Sequence, residues 1–208
     1  MSRRDNTEAR CVACRMHATL CLCALVPVLR TRSRLTLLVH YREARKPTNT
    51  GQLAARCLVG STVVIVGDRD HPPEPPAVGD DELPLVMFPH EHAAPIERYA
   101  ASDRRIALFV PDGNWRQASK MRRRIPGFGG IPCVTLPEAS PTEYRLRTER
   151  RDGGLATLEA IARGLGILEG DAGPAIERAM LSVFRIMVER TLWLRGALRA
   201  GDVTGGVP

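Results

Sequence analysis

Short apolar runs alternate along this chain with segments whose apolar residues recur every three or four positions. The runs are typical of buried β-strands, and the wider spacing is typical of helices that bury one face. Because the two patterns alternate, the sequence predicts an α/β fold with a mainly parallel sheet and helices on both of its faces. Buried strands are predicted at residues 35–40, 61–66, 106–110 and 131–136, with a shorter one at 85–88. Helices are predicted at residues 52–59, 94–102 and 155–165 and from residues 115 and 174 onwards, and the proline-rich residues 68–84 predict a loop.

The last helix carries an apolar stripe that leaves the oligomeric state open. Gly173 and Pro174 mark its start, since proline is well suited to a first helical turn. From Ile176 to Leu198, apolar residues recur at helical spacing. Such a stripe packs either in the core of one chain or in a dimer interface, so monomer and homodimer are both compatible with the sequence.

The segment from residue 106 to residue 124 holds the main candidate for chemistry. Its apolar strand ends at Pro111 and Gly113, and a helix begins at Trp115. Asp112 therefore lies just past the carboxyl end of a strand, which is the edge where parallel sheets bind ligands. Aspartate is also a favoured helix cap, so the alternative is that Asp112 caps the helix and Trp115 packs in the core.

A second strand-to-helix turn lies at Thr50 and Gly51. Exposed backbone amides at such a turn can hold a polar group of a ligand. The alternative is that Thr50 or Asn49 only caps the helix that follows.

The charge of the chain favours an acidic partner. Lys and Arg together number 30 against 23 Asp and Glu, which gives a net charge of +7. For a basic protein of this size, nucleic acid is the first partner to consider, and a merely solvated basic surface is the alternative. The arginine-rich loop around Arg145 and Arg147 can contact phosphates or can be an ordinary charged loop.

The sequence predicts a cytoplasmic protein with no membrane partner. No apolar run approaches the ~20 residues that a membrane helix needs, and the N-terminal residues lack the apolar core of a secretory signal. In the cytoplasm, the six cysteines are not expected to form structural disulfides. Cys57 and Cys133 lie in apolar surroundings and are expected to be buried thiols of the core.

The other four cysteines, Cys11, Cys14, Cys21 and Cys23, form a C-x2-C-x6-C-x-C cluster near the N-terminus. Four thiolates so close together in a cytoplasmic chain predict a tetrahedral zinc site. Because all four ligands are cysteine, the site is closed and its role is structural. The tight Cys21–Cys23 spacing leaves an iron–sulfur cluster as an alternative, and His17 can replace one cysteine. We accordingly divide the chain into a zinc-binding segment, residues 1–30, and a main domain, residues 31–208.

Four separated segments together resemble one family, the DTW-domain proteins. Besides the cysteine cluster, these are HYREARKPTNTGQLA at 40–54, PDGNWRQASKM at 111–121 and SPTEYRLRTERRDGGLATLEAIA at 140–162. The family is similar in fold to the SPOUT RNA methyltransferases, so the resemblance implies a trefoil knot in the C-terminal half of the sheet. One position departs from the family pattern, since Asn114 stands where the family usually has threonine.

The resemblance implies a tRNA-uridine 3-amino-3-carboxypropyltransferase. Such an enzyme moves the aminocarboxypropyl group of S-adenosylmethionine to N3 of a uridine in tRNA, with position 47 as the family expectation, and releases 5′-methylthioadenosine. Two other functions remain open: an RNA methyltransferase with the same fold and donor, and a zinc-stabilised RNA-binding module without catalysis. No obligate protein partner is expected.

The resemblance also assigns roles to individual residues. Asp112 becomes the general base for N3, and Trp115 shapes the pocket or stacks on a base. The implied donor contacts are Thr50, Gly51, Leu136, Leu155 and Thr157, and the implied contacts to tRNA phosphates are Arg122, Arg123, Arg124, Arg145 and Arg147.

Overall fold

The computed structural model of the protein describes residues 9–68, 73–138, 141–146 and 154–207. Its strands are β1 (Arg34–His40), β2 (Thr62–Val66), β3 (Glu82–Met87), β4 (Ala94–Pro95), β5 (Arg105–Asp112) and β6 (Cys133–Thr135). Its helices are α1 (Tyr41–Ala44), α2 (Thr50–Cys57), α3 (Trp115–Arg124), α4 (Thr157–Leu168) and α5 (Gly173–Leu194). The six strands form one sheet in the order β2-β1-β5-β3-β6-β4, and every pair is parallel. The predicted α/β class with a parallel sheet is confirmed.

Helices cover both faces of the sheet, as predicted, because side chains along each central strand alternate between two cores. Leu37 and Leu108 belong to the larger core, which also holds the buried faces of α2, α4 and α5. Phe109 belongs to the smaller core, where it meets Met121 of α3 and packs edge to face on Phe128 at 5.9 Å between ring centroids. The sheet is thus the middle of three layers.

Three predicted elements differ from the observed ones. Strand β2 is not buried, because it lies at the edge of the sheet, where most of its side chains are exposed. Strand β3 begins at Glu82 inside the predicted loop and contains Pro84, which is tolerated because β6 pairs only with Val86 and Met87 further along. Residues 94–102 form the short strand β4 and a 3₁₀ turn in place of the predicted helix.

Helices α4 and α5 cross at very short range. A Cβ atom at Gly173 would overlap the carbonyl oxygen of Gly166, so this crossing requires glycine at residue 173. The apolar stripe of α5, which includes Met180 and Met187, packs within the core of the chain itself. In the part of the chain that the structure describes, no helix is both long and apolar enough to cross a membrane.

The N-terminal segment packs directly on the main body. Met16, Leu20 and Leu22 are buried in the same core as the sheet, and the buried Arg190 of α5 donates a hydrogen bond to the Cys21 carbonyl at 2.9 Å. The division into residues 1–30 and 31–208 stays a prediction, as does the trefoil knot.

An ion pair between the partly buried Arg34 of β1 and the buried Glu82 of β3 lies at the amino edge of the sheet. Arg34 donates from Nε and Nη2 to the two carboxylate oxygens of Glu82, at 2.8 and 2.6 Å. The hydrogen bonds from Arg34 hold the pKa of Glu82 at about 2, against an ordinary 4.5. Because the folded-state pKa is depressed, the pair stabilises the fold fully above pH 4.5, and this contribution is lost as the pH falls through about 2.

We expect Glu82→Gln to lower the free energy of unfolding at pH 7 by about 2–3 kcal/mol, since the partly buried Arg34 then loses its carboxylate partner. The difference from the parent chain should shrink as the pH is lowered from 4.5 towards 2, as measured by urea unfolding at a series of pH values. Glu97→Gln, at an exposed glutamate, is the matched control and should change little. A difference that stays constant across this pH range would contradict the assignment.

Candidate active site and four-cysteine centre

The candidate site lies at the carboxyl edge of the sheet. Asp112 is the last residue of β5, and it is in register with Val39 near the end of β1. Since all strands are parallel, the segments that follow β1, β3, β5 and β6 leave the sheet at this same edge. This is the edge at which open α/β sheets bind ligands.

Asp112 is buried, with 6% of its surface exposed, and both of its carboxylate oxygens accept hydrogen bonds. Asn49 Nδ2 donates to Oδ2 at 2.5 Å, and the Thr157 hydroxyl donates to Oδ1 at 2.6 Å. The donors come from the start of α2 and the start of α4, so the carboxylate joins three segments that are far apart in sequence. Of the predicted site residues, the structure therefore brings Thr157 into direct contact with Asp112.

Asn49 is a site residue that the sequence analysis considered only as a cap. It is indeed the N-cap of α2, because its Oδ1 accepts from the backbone N–H of Gln52 at 2.7 Å. That bond fixes the orientation of the amide and directs Nδ2 to Asp112. The capping signal was visible in the sequence, but nothing local could reveal a contact with a residue 63 positions away.

The first turn of α2 packs closely against the same carboxylate. A Cβ atom at Gly51 would lie 3.0 Å from Asp112 Cγ and 3.1 Å from a methyl group of Leu37. Glycine therefore allows the helix backbone to approach Asp112. Thr50 is buried as the first residue of α2, so the predicted Thr50–Gly51 turn lies beside the candidate base.

Asp112 does not cap α3, which corrects the structural alternative of the sequence analysis. Asn114 is the N-cap, and it forms a capping box in which its side chain accepts from Gln117 N at 2.9 Å and its N–H donates to Gln117 Oε1 at 2.8 Å. Threonine and asparagine are both good caps. The departure from the family pattern at residue 114 is thus compatible with the same local structure.

Trp115 lies at the surface beside the site. It is 40% exposed, so the alternative that it packs in the core is wrong. Its ring contacts Phe88, which follows β3, with 5.6 Å between centroids and 53° between planes. The two rings form an aromatic pair at the carboxyl edge of the sheet.

The loop before α4 is fixed by a second buried carboxylate. Glu159 is 1% exposed and accepts hydrogen bonds from the Thr142 hydroxyl and from the backbone N–H groups of Glu143 and Ala156. These bonds tie residues 141–146 to the start of α4, where Thr157 contacts Asp112. Leu136, just after β6, and Leu155, just before α4, are both partly buried. Their predicted contact with a donor stays a prediction.

The predicted phosphate-binding arginines differ in their surroundings. Arg123 and Arg124 are exposed, whereas Arg122 donates to the Gly129 carbonyl at 3.0 Å. Arg145 lines a cavity of about 350 Å³ together with Arg185, Glu143 and Glu189. Arg147 lies outside the described residues.

A cavity of about 430 Å³ is lined by residues of both the N-terminal segment and α2. Cys14, Arg15, Lys46 and Asn49 are among its lining residues, whereas Leu136, Leu155 and Thr157 are not. Asn49 therefore lies between this cavity and Asp112, and the predicted donor contacts lie elsewhere. We do not identify this cavity with a donor site.

The four N-terminal cysteines converge as the sequence predicted, and they could hold a metal ion. Their sulfur atoms all lie within 4.8 Å of one another. Cys11 and Cys23 are 3.6 Å apart, and Cys14 and Cys21 are 3.8 Å apart, measured between Sγ atoms. His17 is not in this group, and its ring hydrogen-bonds the Thr19 hydroxyl. Four sulfurs at such distances match the donor set of a single tetrahedral ion.

Two thiols of this cluster, Cys11 and Cys23, differ widely in their pKa values. The backbone N–H groups of Cys14 and Ala13 lower the pKa of Cys11 to about 6. Burial and the neighbouring thiols raise the pKa of Cys23 to about 12. The remaining two cysteines, Cys57 and Cys133, are buried in the core as predicted, and burial raises the pKa of each.

Comparison with known proteins gives one family match and several curated relatives. A model of the DTW domain matches residues 8–192. A Drosophila melanogaster protein named tRNA-uridine aminocarboxypropyltransferase 2 is 25% identical over 172 residues, which cover 79% of this chain and 68% of that protein. An Arabidopsis thaliana protein named tRNA-uridine aminocarboxypropyltransferase A is 28% identical over an alignment of 212 residues, which covers 86% of this chain and 79% of the relative.

A third relative, from Macaca fascicularis, shares the name of the Drosophila protein and is 27% identical over 167 residues, or 76% of this chain. This chain spans only 56% of that relative's length. No solved structure matches the chain.

We expect Asn49→Asp to destabilise the protein at pH 7 by about 2 kcal/mol, because it replaces the donor to Asp112 with a second buried carboxylate. Aspartate caps helices as well as asparagine does, so α2 keeps its cap. The loss should diminish at acidic pH, where one of the two carboxyl groups is protonated, as followed by urea unfolding.

Asn49→Ser is the matched control, since it keeps a capping oxygen and removes the donor without adding a charge. It should be destabilised less, and with a weaker dependence on pH, because it only loses a hydrogen bond to Asp112 and adds no second carboxylate. Identical pH profiles for the two variants would contradict the contact between Asn49 and Asp112.

Proposed function

Since the chain belongs to the DTW-domain family, we propose that it is a tRNA-uridine 3-amino-3-carboxypropyltransferase. Its substrates are S-adenosylmethionine and a uridine in tRNA, and its products are the N3-modified uridine and 5′-methylthioadenosine. The names of the relatives from fly and plant support this activity, since each of these two proteins is similar to most of this chain.

The observation that carries the proposal is the convergence on Asp112. Three segments that resemble the family, at residues 40–54, 111–121 and 140–162, contribute Asn49, Asp112 and Thr157 to one hydrogen-bonded group. A buried carboxylate held at the ligand-binding edge of a parallel sheet suits proton transfer better than it suits a purely structural role.

The reaction is a displacement at a carbon attached to the sulfonium of the donor. Uridine N3 attacks the methylene carbon of the aminocarboxypropyl arm that is bonded to sulfur. A bond forms between N3 and this carbon, and the bond from the carbon to sulfur breaks. The electron pair of that bond stays on sulfur, which leaves as the neutral thioether of 5′-methylthioadenosine. Because the sulfonium carries three carbons that can react, the product depends on which carbon is placed beside N3.

Asp112 is our candidate for the base that takes the N3 proton. The hydrogen bonds from Asn49 and Thr157 fix the orientation of the carboxylate, and a carboxylate positioned beside N3 can act as its general base. Exclusion of water at this position strengthens electrostatic interactions between the carboxylate and a bound substrate. Trp115 lies three residues further on, where its exposed ring can stack on a base.

We place the donor between the starts of α2 and α4, next to Asp112. Thr157 hydrogen-bonds the carboxylate and Gly51 packs closely beside it, and Thr50 offers a polar group next to them. Leu136 and Leu155 supply apolar surface for the adenine ring. Arg123, Arg124, Arg145 and Arg147 are our candidates for phosphate contacts, and Arg122 is a weaker one because it is bonded to Gly129.

Transfer of labelled donor to unmodified tRNA tests the activity directly. We expect label on the carboxyl carbon of S-adenosylmethionine to enter tRNA and label on the methyl carbon to stay out, because only the aminocarboxypropyl arm is moved. Methyl label in tRNA would indicate a methyltransferase instead. Binding of tRNA with neither label transferred would indicate a binding module.

Asp112→Ala serves as the control within this experiment. It should lower the transfer rate by on the order of 10²-fold or more, which is the usual loss for a general base, while donor binding measured by calorimetry is kept. Asp112→Asn preserves the volume of the side chain beside Gly51 and separates loss of the base from loss of folding. Full activity in either variant would remove Asp112 from the mechanism.

We propose further that the four cysteines bind one structural zinc ion. A Zn–S bond of about 2.3 Å implies sulfurs about 3.8 Å apart in a tetrahedron, and the two pairs at 3.6 and 3.8 Å agree with this value. In an iron–sulfur cluster the cysteines are shared among several irons, whereas here all four sulfurs lie within 4.8 Å of one another, close enough to share a single ion. Zinc would hold Cys11, Cys14, Cys21 and Cys23 and keep this segment folded on the main body.

Metal analysis should find about one zinc per chain, and Cys14→Ser should lose it. Because metal binding supplies folding free energy, we expect this variant to unfold at a temperature lower by on the order of 10 °C. Cys57→Ser is the matched control, since Cys57 lies outside the cluster and a hydroxyl can keep its hydrogen bond to Leu53. A stably folded parent chain that contains no metal would refute the site.

A further inference from the structure

Helix α3 is the most basic exposed element beside the candidate site. Its ten residues include five cations and no acid. Arg116, Lys120 and Arg123 recur at spacings of four and three, so they lie on one face, with Arg124 beside them. This face is opposite Ala118 and Met121, which pack towards the sheet. We call Arg116, Lys120, Arg123 and Arg124 the α3 basic face.

Within the described part of the chain, no acidic side chain forms an ion pair with any of these four cations. Other cations of the protein are paired, for example Arg34 with Glu82 and Arg185 with Glu143. The α3 basic face thus has an uncompensated positive charge, which a polyanion can neutralise.

Arg116 distinguishes between two explanations for the cations of α3, namely helix stability and ligand binding. Cations at the end of a helix are stabilised by the helix dipole, which accounts for Arg123 and Arg124 without any ligand. Arg116 is in the first turn, where the dipole disfavours a cation and where α3 has no acid to offset it. Helix stability therefore does not explain a cation at residue 116.

The α3 basic face lies next to the aromatic pair formed by Trp115 and Phe88. Trp115, in contact with Phe88, stands at the amino end of α3, three residues after Asp112. The helix extends about 15 Å from there, at 1.5 Å per residue. Stacking rings followed by a row of cations are the arrangement with which proteins bind unpaired nucleic acid strands.

We infer that the α3 basic face binds the RNA phosphates next to the target nucleotide, while Trp115 and Phe88 form a wall against its base. The inference rests on the proposed function for the identity of the RNA, and it adds Arg116, Lys120 and Phe88 to the predicted contacts. It also predicts the path of the RNA strand, which would extend from the aromatic pair beside Asp112 along α3 to Arg124.

The double variant Arg116→Gln/Lys120→Gln tests the inference in the full-length, metal-loaded protein. We expect its Kd for unmodified tRNA, measured by fluorescence anisotropy without donor, to rise on the order of tenfold. The slope of log K against log salt should fall by roughly one for each phosphate that the variant no longer neutralises.

The matched control is Arg98→Gln/Arg178→Gln, which removes the same charge from exposed positions away from α3. It should leave the Kd within about twofold of the parent value, since long-range charge is screened at physiological salt. Equal weakening by both double variants would reduce the effect to bulk charge and overturn the inference, as would an unchanged Kd in the α3 variant.

A thermal readout excludes loss of folding as the cause. Removing a cation from the first turn of α3 should leave the melting temperature unchanged or slightly higher, so weaker binding with undiminished stability supports the inference. Phe88→Leu should raise the Kd severalfold with little change in salt slope, because stacking is not ionic. Binding that follows these patterns without any transfer of label would uphold the inference and refute the proposed function.

Discussion

The two hydrogen bonds to the Asp112 carboxylate are the interaction on which the candidate site depends. They link the end of β5 to the starts of α2 and α4, and they add a directed polar contact to the apolar packing that these segments share in the larger core. A buried carboxylate needs such donors, since an unpaired one would be strongly disfavoured away from water. The same bonds would orient the group for the proposed proton transfer. On this proposal, one side chain meets both the structural and the catalytic requirement.

The N-terminal cysteine segment is connected to this site through the loop between α1 and α2. Arg15, which follows the second cysteine in a left-handed conformation with φ of 61°, donates to the Ala44 carbonyl. Gln52 donates to the same carbonyl at 3.0 Å, and Asn49 in this loop contacts Asp112. The proposed metal would thus stabilise the scaffold that positions the carboxylate, although the cysteines themselves take no part in the proposed reaction.

Periodicity and local turn chemistry predicted most of the architecture. The parallel sheet, the helices on both faces and the convergence of four cysteines follow from patterns within short windows of sequence. The exposure of β2 could not be predicted, because whether a strand lies at a sheet edge depends on strand order. Proline at residue 84 suggested a loop, since the sequence does not show that β6 pairs only beyond it. The role of Asn49 was missed for the same reason: a contact across 63 residues leaves no local signal beyond a helix cap.

The closeness of Gly51 to Asp112 limits how this family of chains can diverge. A Cβ atom at residue 51 would lie 3.0 Å from Asp112 Cγ and 3.1 Å from Leu37, so the carboxylate or the α2 backbone would have to shift by a few tenths of an ångström. Every residue except glycine brings a Cβ atom, so no chemically similar residue avoids this shift. In homologous chains that keep this aspartate in this place, residue 51 should therefore favour glycine. A chain with another residue there would hold its carboxylate in a slightly different position, and sequence likeness alone would not show that difference.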